Sequence, residues 1–150
     1  MDLEEQLFSL LRSIIKNMRK VLEKEIAVYR IGHAEMRLLM MLYSMGNCRQ
    51  EELTSKIEVD RSNVGRSLKK LEQLGYLNRE KDSEDTRSFR VFLTEKGLSI
   101  KEPLLVIKSN IEKTIAMRTE KAELRMLLKS LKVLDTSMSE ENYNYIKSSI

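Results

Sequence analysis

The segment that decides the fold runs from residue 60 to residue 97 and reads DRSNVGRSLKKLEQLGYLNREKDSEDTRSFRVFLTEKG. Its first part is apolar at helical spacing and ends at Gly75, a residue type common at helix C-termini. Asp60 is placed to cap this helix. Two strand-forming runs follow, YLNREK and FRVFLT, with the polar stretch 83–88 between them. The segment therefore predicts a helix followed by a β-hairpin with a polar tip.

Two further helices are predicted upstream of this segment. The run GHAEMRLLMMLYSMG is apolar at helical spacing and begins at Gly32 or His33, while QEELTSKI at 50–57 is a shorter helix. The residues EVD at 58–60 form a tight turn before the longer helix. A short helix, a turn, a second helix and a hairpin make a winged helix-turn-helix, which we predict for residues 33–97.

Long helices are predicted on both sides of this lobe. Residues 1–31 contain a strongly amphipathic helix, and residues 98–150 contain two more apolar stripes, with Pro103 either kinking the first or moving its start. These stripes need partner surfaces, which a second copy of the chain would supply. We predict a mainly α fold with a small antiparallel β-hairpin wing, in which a single-domain protomer (1–150) combines the winged helix-turn-helix with a helical dimerisation region.

Composition bounds the class of protein. The chain has 150 residues, of which 41% are hydrophobic and 33% charged, so it is one domain with enough apolar material for a core. The net charge of +4 and the pI near 9.1 favour nucleic acid only weakly, so local patterning must decide. A single cysteine, and the absence of a signal peptide or a long apolar run, predict a cytoplasmic protein without a membrane segment.

The start of the helix after residue 60 carries cations and no acids. In a helix-turn-helix this end enters the major groove, where arginine reads guanine and asparagine reads adenine. The residues that we predict to face the groove are Ser62, Asn63, Arg66, Ser67 and Lys70. The residues that we predict to hold phosphates are Arg61 and Lys69. The alternative is an ordinary solvated helix face.

The hairpin tip mixes acids with arginines. A carboxylate can fix a guanidinium through paired hydrogen bonds, and Asp82 and Asp85 are placed to do so for Arg87 or Arg90. An arginine fixed in this way can enter a narrow minor groove, where the negative potential is strong. The alternative is a charged, soluble turn with weak surface ion pairs.

Residues 60–97 resemble the winged-helix segment of the MarR (multiple antibiotic resistance regulator) family. That family tends to show a wing of D-x-x-D-x-R followed by V-x-L-T-x-x-G, and the matching residues are Asp82, Asp85, Arg87, Val91, Leu93, Thr94 and Gly97. The runs LEQLGYLNR at 71–79 and IGHAEMRLLMML at 31–42 are also similar to the family. The resemblance covers the whole chain, but only 60–97 is specific. It implies a homodimeric transcription regulator, most often a repressor, on an inverted-repeat site in double-stranded DNA.

Two residues depart from the family pattern. Thr86 stands where the family often has a basic residue, which weakens the expected contact of the wing with DNA. Gly65 stands where the family often has threonine, which removes an expected contact with a base or a phosphate. Both departures leave the operator sequence open.

The resemblance also implies a cleft between the dimerisation helices and the DNA-binding lobe, where a small aromatic or anionic effector binds. The residues that map to this cleft are Lys16, Arg19, Lys20, Tyr29, His33, Met36, Met40 and Tyr43. The alternative for the methionines is an ordinary helix core, and the alternative for the histidine is a surface or packing role.

Other chemistries are disfavoured. One histidine and one cysteine do not make a zinc site, and the chain has neither a Ser/His/Asp set nor a glycine-rich phosphate loop, so we expect no metal, no cofactor and no enzyme. We predict that Cys48 is a plain loop cysteine; redox sensing is the alternative, because Arg49 beside it would lower its pKa. The rival functions are a winged-helix protein-interaction module and a non-specific architectural DNA-binding protein. Steep salt dependence is expected of DNA binding and not of an apolar protein interface.

Overall fold

The computed structural model describes residues 2–57, 61–139, 141, 142, 144 and 147. The chain forms two compact units, Met1–Ile111 and Glu112–Ile150. The helices are α1 (Leu3–Ile26), α2 (His33–Met45), α3 (Gln50–Lys56), α4 (Arg61–Gln73), α5 (Glu95–Ser99), α6 (Lys101–Ala116) and α7 (Lys121–Ser137). The strands are β1 (Cys48–Arg49), β2 (Leu77–Lys81) and β3 (Phe89–Leu93). The predicted turn at 58–60 and the predicted capping by Asp60 lie outside the described residues.

The core of the first unit forms where α2 packs against α4. Both helices turn an apolar face inward, and their fully or nearly buried residues are Met36, Leu38, Leu39 and Leu42 of α2 and Val64, Leu68 and Leu71 of α4. The chain leaves α4 at Gly75, whose φ of 78° lies in the left-handed region that glycine adopts without strain. The N–H of Tyr76 donates to the carbonyl of Leu71 at 2.9 Å, which closes the helix end. The predicted mainly α winged helix-turn-helix is confirmed.

The wing is part of a three-stranded antiparallel sheet with the order β1-β3-β2. Strands β2 and β3 pair from Leu77 with Leu93 to Lys81 with Phe89, which is the predicted hairpin. Strand β1 was not predicted, and it pairs Cys48 with Val91. A strand of two residues shows no alternation in the sequence, so no periodicity could reveal it. The prediction of a loop at Cys48 is wrong, because this residue is in a strand and is buried.

Two helices follow the wing where one interrupted stripe was predicted. Thr94 caps α5, because its Oγ1 accepts a hydrogen bond from the N–H of Gly97 at 3.0 Å. Helix α5 ends at Ser99, and Pro103 lies in the first turn of α6. Proline lacks an N–H, and the first turn of a helix has no intrahelical acceptor for one, so Pro103 sets the start of α6 and does not kink it.

The outer helices keep much of their apolar surface exposed. Helix α1 begins at a capping box, in which the N–H of Glu5 donates to Asp2 at 2.8 Å, and it contributes the buried Ile26 to the core. Its exposed apolar residues are Leu3, Leu7, Phe8, Leu10, Ile14, Ile15, Met18 and Val21. In the second unit, α7 exposes Met126, Leu127, Leu128 and Val133. None of the helices in the described parts of the chain is long and apolar enough to cross a membrane.

Gly97 packs directly against the backbone of Tyr76, and a methyl group in its place would overlap the Tyr76 carbonyl. We expect Gly97→Ala to lower the free energy of unfolding by about 1–3 kcal/mol, because a backbone group cannot move aside as a side chain can. Urea denaturation followed by circular dichroism measures this.

The matched control is Gly65→Ala in α4, where a methyl group meets no described atom within 4 Å. It should raise the free energy of unfolding by about 0.5–1 kcal/mol, since alanine is the better helix former. Equal effects of the two substitutions would contradict the close approach at Gly97.

Candidate nucleic-acid interface

Helix α4 presents its N-terminal polar residues to solvent. Ser62, Asn63 and Arg66 are exposed, and the guanidinium of Arg66 donates to Asn63 Oδ1 at 3.0 Å. Lys69 is exposed on the same helix, and Arg61 is its first residue. This part of α4 carries arginine and asparagine side chains at one turn's separation, a combination that can read base edges.

The structure corrects the prediction for Ser67. This residue is only 7% exposed, and its Oγ donates to Glu35 Oε1 of α2 at 2.8 Å. It lies on the inner face of α4, next to Leu68 and three residues after Val64, so it cannot face a groove. Lys70 is half exposed, and its Nζ lies 3.2 Å from Glu35 Oε2. The partner of both residues, Glu35, is distant in sequence, which is why periodicity alone assigned them to the outer face.

Glu35 attaches α4 to the start of α2. Its Oε2 also accepts from the N–H of Gly32 at 2.7 Å, so one carboxylate serves three donors on two elements. Burial favours the neutral form, but the hydrogen bonds from Gly32, Ser67 and Lys70 outweigh it and lower the pKa of Glu35. An ionised, fully bonded carboxylate therefore fixes the orientation of α4 on α2.

The wing tip is organised around Asp82, which is only 2% exposed. Its Oδ1 accepts from the backbone N–H groups of Glu84 and Asp85 at 2.8 and 3.2 Å. Its Oδ2 accepts from Arg90 Nε at 2.8 Å and from Arg49 Nε at 3.0 Å. The bond from the Glu84 N–H, helped by those from Asp85 and the two arginines, holds the pKa of Asp82 well below its usual range.

Of the two guanidinium groups that the sequence offered to these acids, that of Arg90 pairs with Asp82, and that of Arg87 pairs with neither Asp82 nor Asp85 among the described residues. Asp85 instead accepts from the backbone N–H of Arg87 at 3.0 Å, closing a turn at the tip. Asp85 and Arg87 are exposed, and no hydrogen bond or ion pair of the Arg87 guanidinium occurs among the described residues. The wing therefore presents Arg87 on a fixed backbone with its guanidinium facing solvent.

The predicted effector residues do not form one site. Arg19 and His33 line a cleft of about 560 Å³, together with Arg37, Asn63 and Ser67. Lys16 and Lys20 line an adjoining depression of about 290 Å³ that Arg19 also lines.

The other four predicted effector residues pack in or beside the core. Met36 is buried, and Tyr29, Met40 and Tyr43 pack against the core cluster. The hydroxyl of Tyr43 donates to the carbonyl of Gly97 at 2.6 Å, and burial, with Tyr76 nearby, raises its pKa to about 12. These four residues do not line the cleft, so the core alternative holds for the methionines.

His33 lies at the start of α2 on the wall of the cleft. Burial lowers its pKa, and the positive charges of Arg19 and Arg37 lower it further, so the imidazole is neutral at pH 7. The cations of the cleft at this pH are therefore Arg19 and Arg37, and the carboxylates of Glu23 and Glu35 belong to the same lining.

Cys48 and Arg49 have roles that the sequence did not reveal. Burial raises the pKa of the Cys48 thiol, and the negative charge of Glu52 raises it further. The guanidinium of Arg49 forms ion pairs with Asp82 and Glu84. The alternative in which Arg49 lowers the pKa of Cys48 is therefore not supported, and the side chain of this arginine contacts the wing.

Comparisons with known proteins agree with this geometry. The MarR family profile matches residues 31–89. The HTH-type transcriptional regulator BilQ of Clostridioides difficile is 26% identical over 140 residues, which are 91% of this chain and 95% of BilQ. A MarR transcriptional regulator from Methanosarcina mazei Go1, known from its crystal structure, is 28% identical with a TM-score of 0.75, covering 89% of this chain and 96% of that one. A mutant MarR from E. coli, solved with operator DNA, is 21% identical and shares the fold, with a TM-score of 0.76 over 89% of this chain and 99% of that one.

The helix-turn-helix, its cationic second helix and the attached wing define a winged-helix DNA-binding protein. The matched relatives are transcription regulators rather than enzymes. Residues 31–89 match the MarR family of transcription regulators, and along most of its length the chain resembles regulators of that family.

The charge of Asp82 supplies a test of the wing geometry. Its lowered pKa stabilises the fold above the unfolded-state pKa, near 4, and this stabilisation is lost as the pH falls through the folded-state value. Asp82→Asn keeps an oxygen for the backbone N–H groups and removes the charge. We expect a lower free energy of unfolding at pH 7 and a weaker fall below about pH 4, measured by urea titrations from pH 2.5 to 7.

Glu80→Gln is the control, because Glu80 is an exposed carboxylate on the same hairpin. If Asp82→Asn and Glu80→Gln showed the same dependence of the unfolding free energy on pH, the stabilising role of the Asp82 charge would be rejected.

Proposed function

We propose that the protein is a homodimeric repressor that binds an inverted-repeat operator in double-stranded DNA and releases it when a small anionic ligand occupies the cleft. In this proposal residues 33–97 are the DNA-binding lobe, and residues 1–31 and 98–150 form the dimerisation region. The observation that carries it is the acid-free, exposed start of α4 beside a wing whose tip presents Arg87 on a fixed backbone.

In this proposal the major groove is read by a smaller set of residues than the sequence suggested. Asn63 and Arg66 contact base edges, with Ser62 beside them, and Arg61 and Lys69 contact phosphates. Lys70 contacts a phosphate while it remains paired with Glu35. Ser67 has no contact with DNA, since it is buried against α2.

The minor groove is the proposed site of the wing. Arg87 extends from the tip into the groove, where the potential is most negative. Arg90 and Asp82 position Arg87 indirectly, because their ion pair at 2.8 Å holds the backbone of the turn. Asp85 contributes through its bond to the Arg87 N–H.

The proposed dimer follows from the apolar surface of the outer helices. Exposed apolar residues extend along α1, from Leu3 to Val21, and a continuous apolar surface of this kind marks an interface. A second copy would cover the stripes and would place two recognition helices about one DNA turn apart. An inverted-repeat site matches that two-fold symmetry.

Arg87→Ala tests the wing contact. We expect binding to weaken by about 1–3 kcal/mol, because the substitution removes a direct groove contact. Fluorescence anisotropy on DNA from upstream of the gene, against scrambled DNA of equal length and across a salt series, measures the affinity and the stoichiometry of two chains per site.

The control for charge alone is Lys24→Ala, an exposed cation at the end of α1. Unchanged binding by Arg87→Ala would disprove the wing contact. Binding of wild type that is insensitive to salt would instead favour the protein-interaction module. Salt-steep binding without sequence preference would favour an architectural role.

The ligand part of the proposal depends on the two arginines of the cleft, whose lining also includes the carboxylates of Glu23 and Glu35. Arg19 and Arg37 line a space of about 560 Å³ whose wall includes Asn63 and Val64 of α4, so an anion there would lie against the recognition helix. An aromatic carboxylate at about 100 times its Kd should stabilise the protein by about 2.7 kcal/mol in a thermal-shift assay. Arg19→Ala should remove this stabilisation; a full panel of aromatic acids without effect on wild type would reject the ligand.

A further inference from the structure

We propose that Arg49 is a positioning residue for the wing: by bridging Asp82 and Glu84 it attaches the tip that carries Arg87 to the start of α3. This inference rests on the proposed contact of Arg87 with DNA. The part that concerns the free protein, the attachment of the tip, stands on contacts that do not involve DNA.

The guanidinium of Arg49 reaches two carboxylates of the tip. Its Nε lies 3.0 Å from Asp82 Oδ2, and one terminal nitrogen lies 2.8 Å from Glu84 Oε2. The same nitrogen is 3.5 Å from Asp82 Oδ1. The planar fork of an arginine can serve two acceptors at fixed angles, which a lysine ammonium cannot reproduce.

A second contact attaches the other end of the tip to the same helix. The hydroxyl of Ser88, which is buried, donates to Glu51 Oε2 at 3.1 Å. Within the tip, the N–H of Asp82 donates to the carbonyl of Ser88 at 2.9 Å, so both ends of the turn are joined. Arg49 is the residue before α3 and Glu51 lies in its first turn, so both ends of the tip contact one short stretch of the helix-turn-helix.

Arg49 and Arg90 do different work on the same carboxylate. Arg90 belongs to β3, so its bond to Asp82 closes the hairpin on itself. Arg49 belongs to β1 and leads into α3, so its bond joins the hairpin to the helix-turn-helix. The pairing of β1 with β3 ends at Arg49 and Arg90, and the side chain of Arg49 continues the connection toward the tip.

This connection matters for recognition because the wing and the recognition helix enter different grooves. A tip that moved freely would have to lose that freedom on binding, which weakens affinity without changing any contact. A tip held against α3 keeps Arg87 at a fixed offset from α4. Arg49 therefore acts on DNA affinity through Arg87, and not as a contact of its own.

A double-mutant cycle tests this role. We expect Arg49→Ala to weaken operator binding about fivefold in wild type and less than about twofold in the Arg87→Ala background, since two residues that act through one contact are not additive. DNA binding by Arg49→Lys should be weakened nearly as much as binding by Arg49→Ala, because lysine keeps the charge but lacks the planar guanidinium that serves two acceptors. Anisotropy on the DNA from upstream of the gene, at one salt concentration, measures all five affinities.

Hydrogen exchange in the DNA-free protein tests the attachment itself. Arg49→Ala should raise exchange at the tip amides of Glu84, Asp85 and Ser88 and leave the amides in the middle of α4 unchanged. Arg79→Ala is the matched control, because Arg79 also lies on the hairpin and forms an ion pair at 2.7 Å, but with Glu72 of α4. It should not raise exchange at the tip.

The outcomes separate the two proposals. Unchanged exchange in Arg49→Ala would overturn the attachment, whatever the DNA affinities. Faster exchange with unchanged affinity would leave the attachment and overturn its role in recognition. Additive losses, or full affinity of Arg49→Lys, would show that Arg49 acts by its own charge and overturn the positioning role. Unchanged affinity of Arg87→Ala would disprove the wing contact of the proposed function, and with it any action of Arg49 through Arg87.

Discussion

A buried carboxylate needs partners, and the geometry of the wing follows from how Asp82 obtains them. At 2% exposure this side chain has almost no water to stabilise its charge. Two backbone N–H groups from the tip and two guanidinium groups, one from β1 and one from β3, replace that water. Each donor must lie in a fixed direction, so the carboxylate determines the path of the turn. It thereby determines the position of the residues in the turn, including Arg87. The acidic residues of the tip therefore have a structural role: they order the turn that carries the cations.

Glu35 is a second example of the same physical arrangement. It also accepts from a backbone N–H and from side chains of a different element, in this case Ser67 and Lys70 of α4. One buried carboxylate thus holds the recognition helix on α2, and the other holds the wing on β1. Breaking either set would leave an uncompensated charge, so both contacts favour a single arrangement of α4 and the wing. Such rigidity is what a protein needs if it is to present two elements to two grooves at once.

The sequence predicted the parts of this fold that depend on short-range periodicity. The apolar spacing of α1, α2 and α4 and the strand-forming runs of the hairpin are local signals, and the structure has these elements close to the expected bounds. Strand β1 was missed because two residues carry no period. The sequence did not reveal Glu35 as the partner of Ser67, and for Asp82 it indicated Arg90 but not Arg49. Both missed partners lie more than 30 positions away along the chain. An N-cap position such as Arg49 gives no sequence signal that its side chain will cross to another element.

The pairing of acids with cations also changes how the charge of the proposed DNA-binding surface should be counted. The net charge of the chain is only +4, yet the start of α4 has four cations and no acid between residues 61 and 70. Of these, Lys70 already has a partner in Glu35, so in the proposed complex with DNA it would displace fewer counterions than a lysine in free solution. Arg90 and Arg49 are likewise paired with Asp82. The guanidinium of Arg87, by contrast, has no ion pair among the described residues. The salt dependence of binding should therefore reflect the unpaired cations, and it should be shallower than the total number of lysines and arginines on this face would suggest.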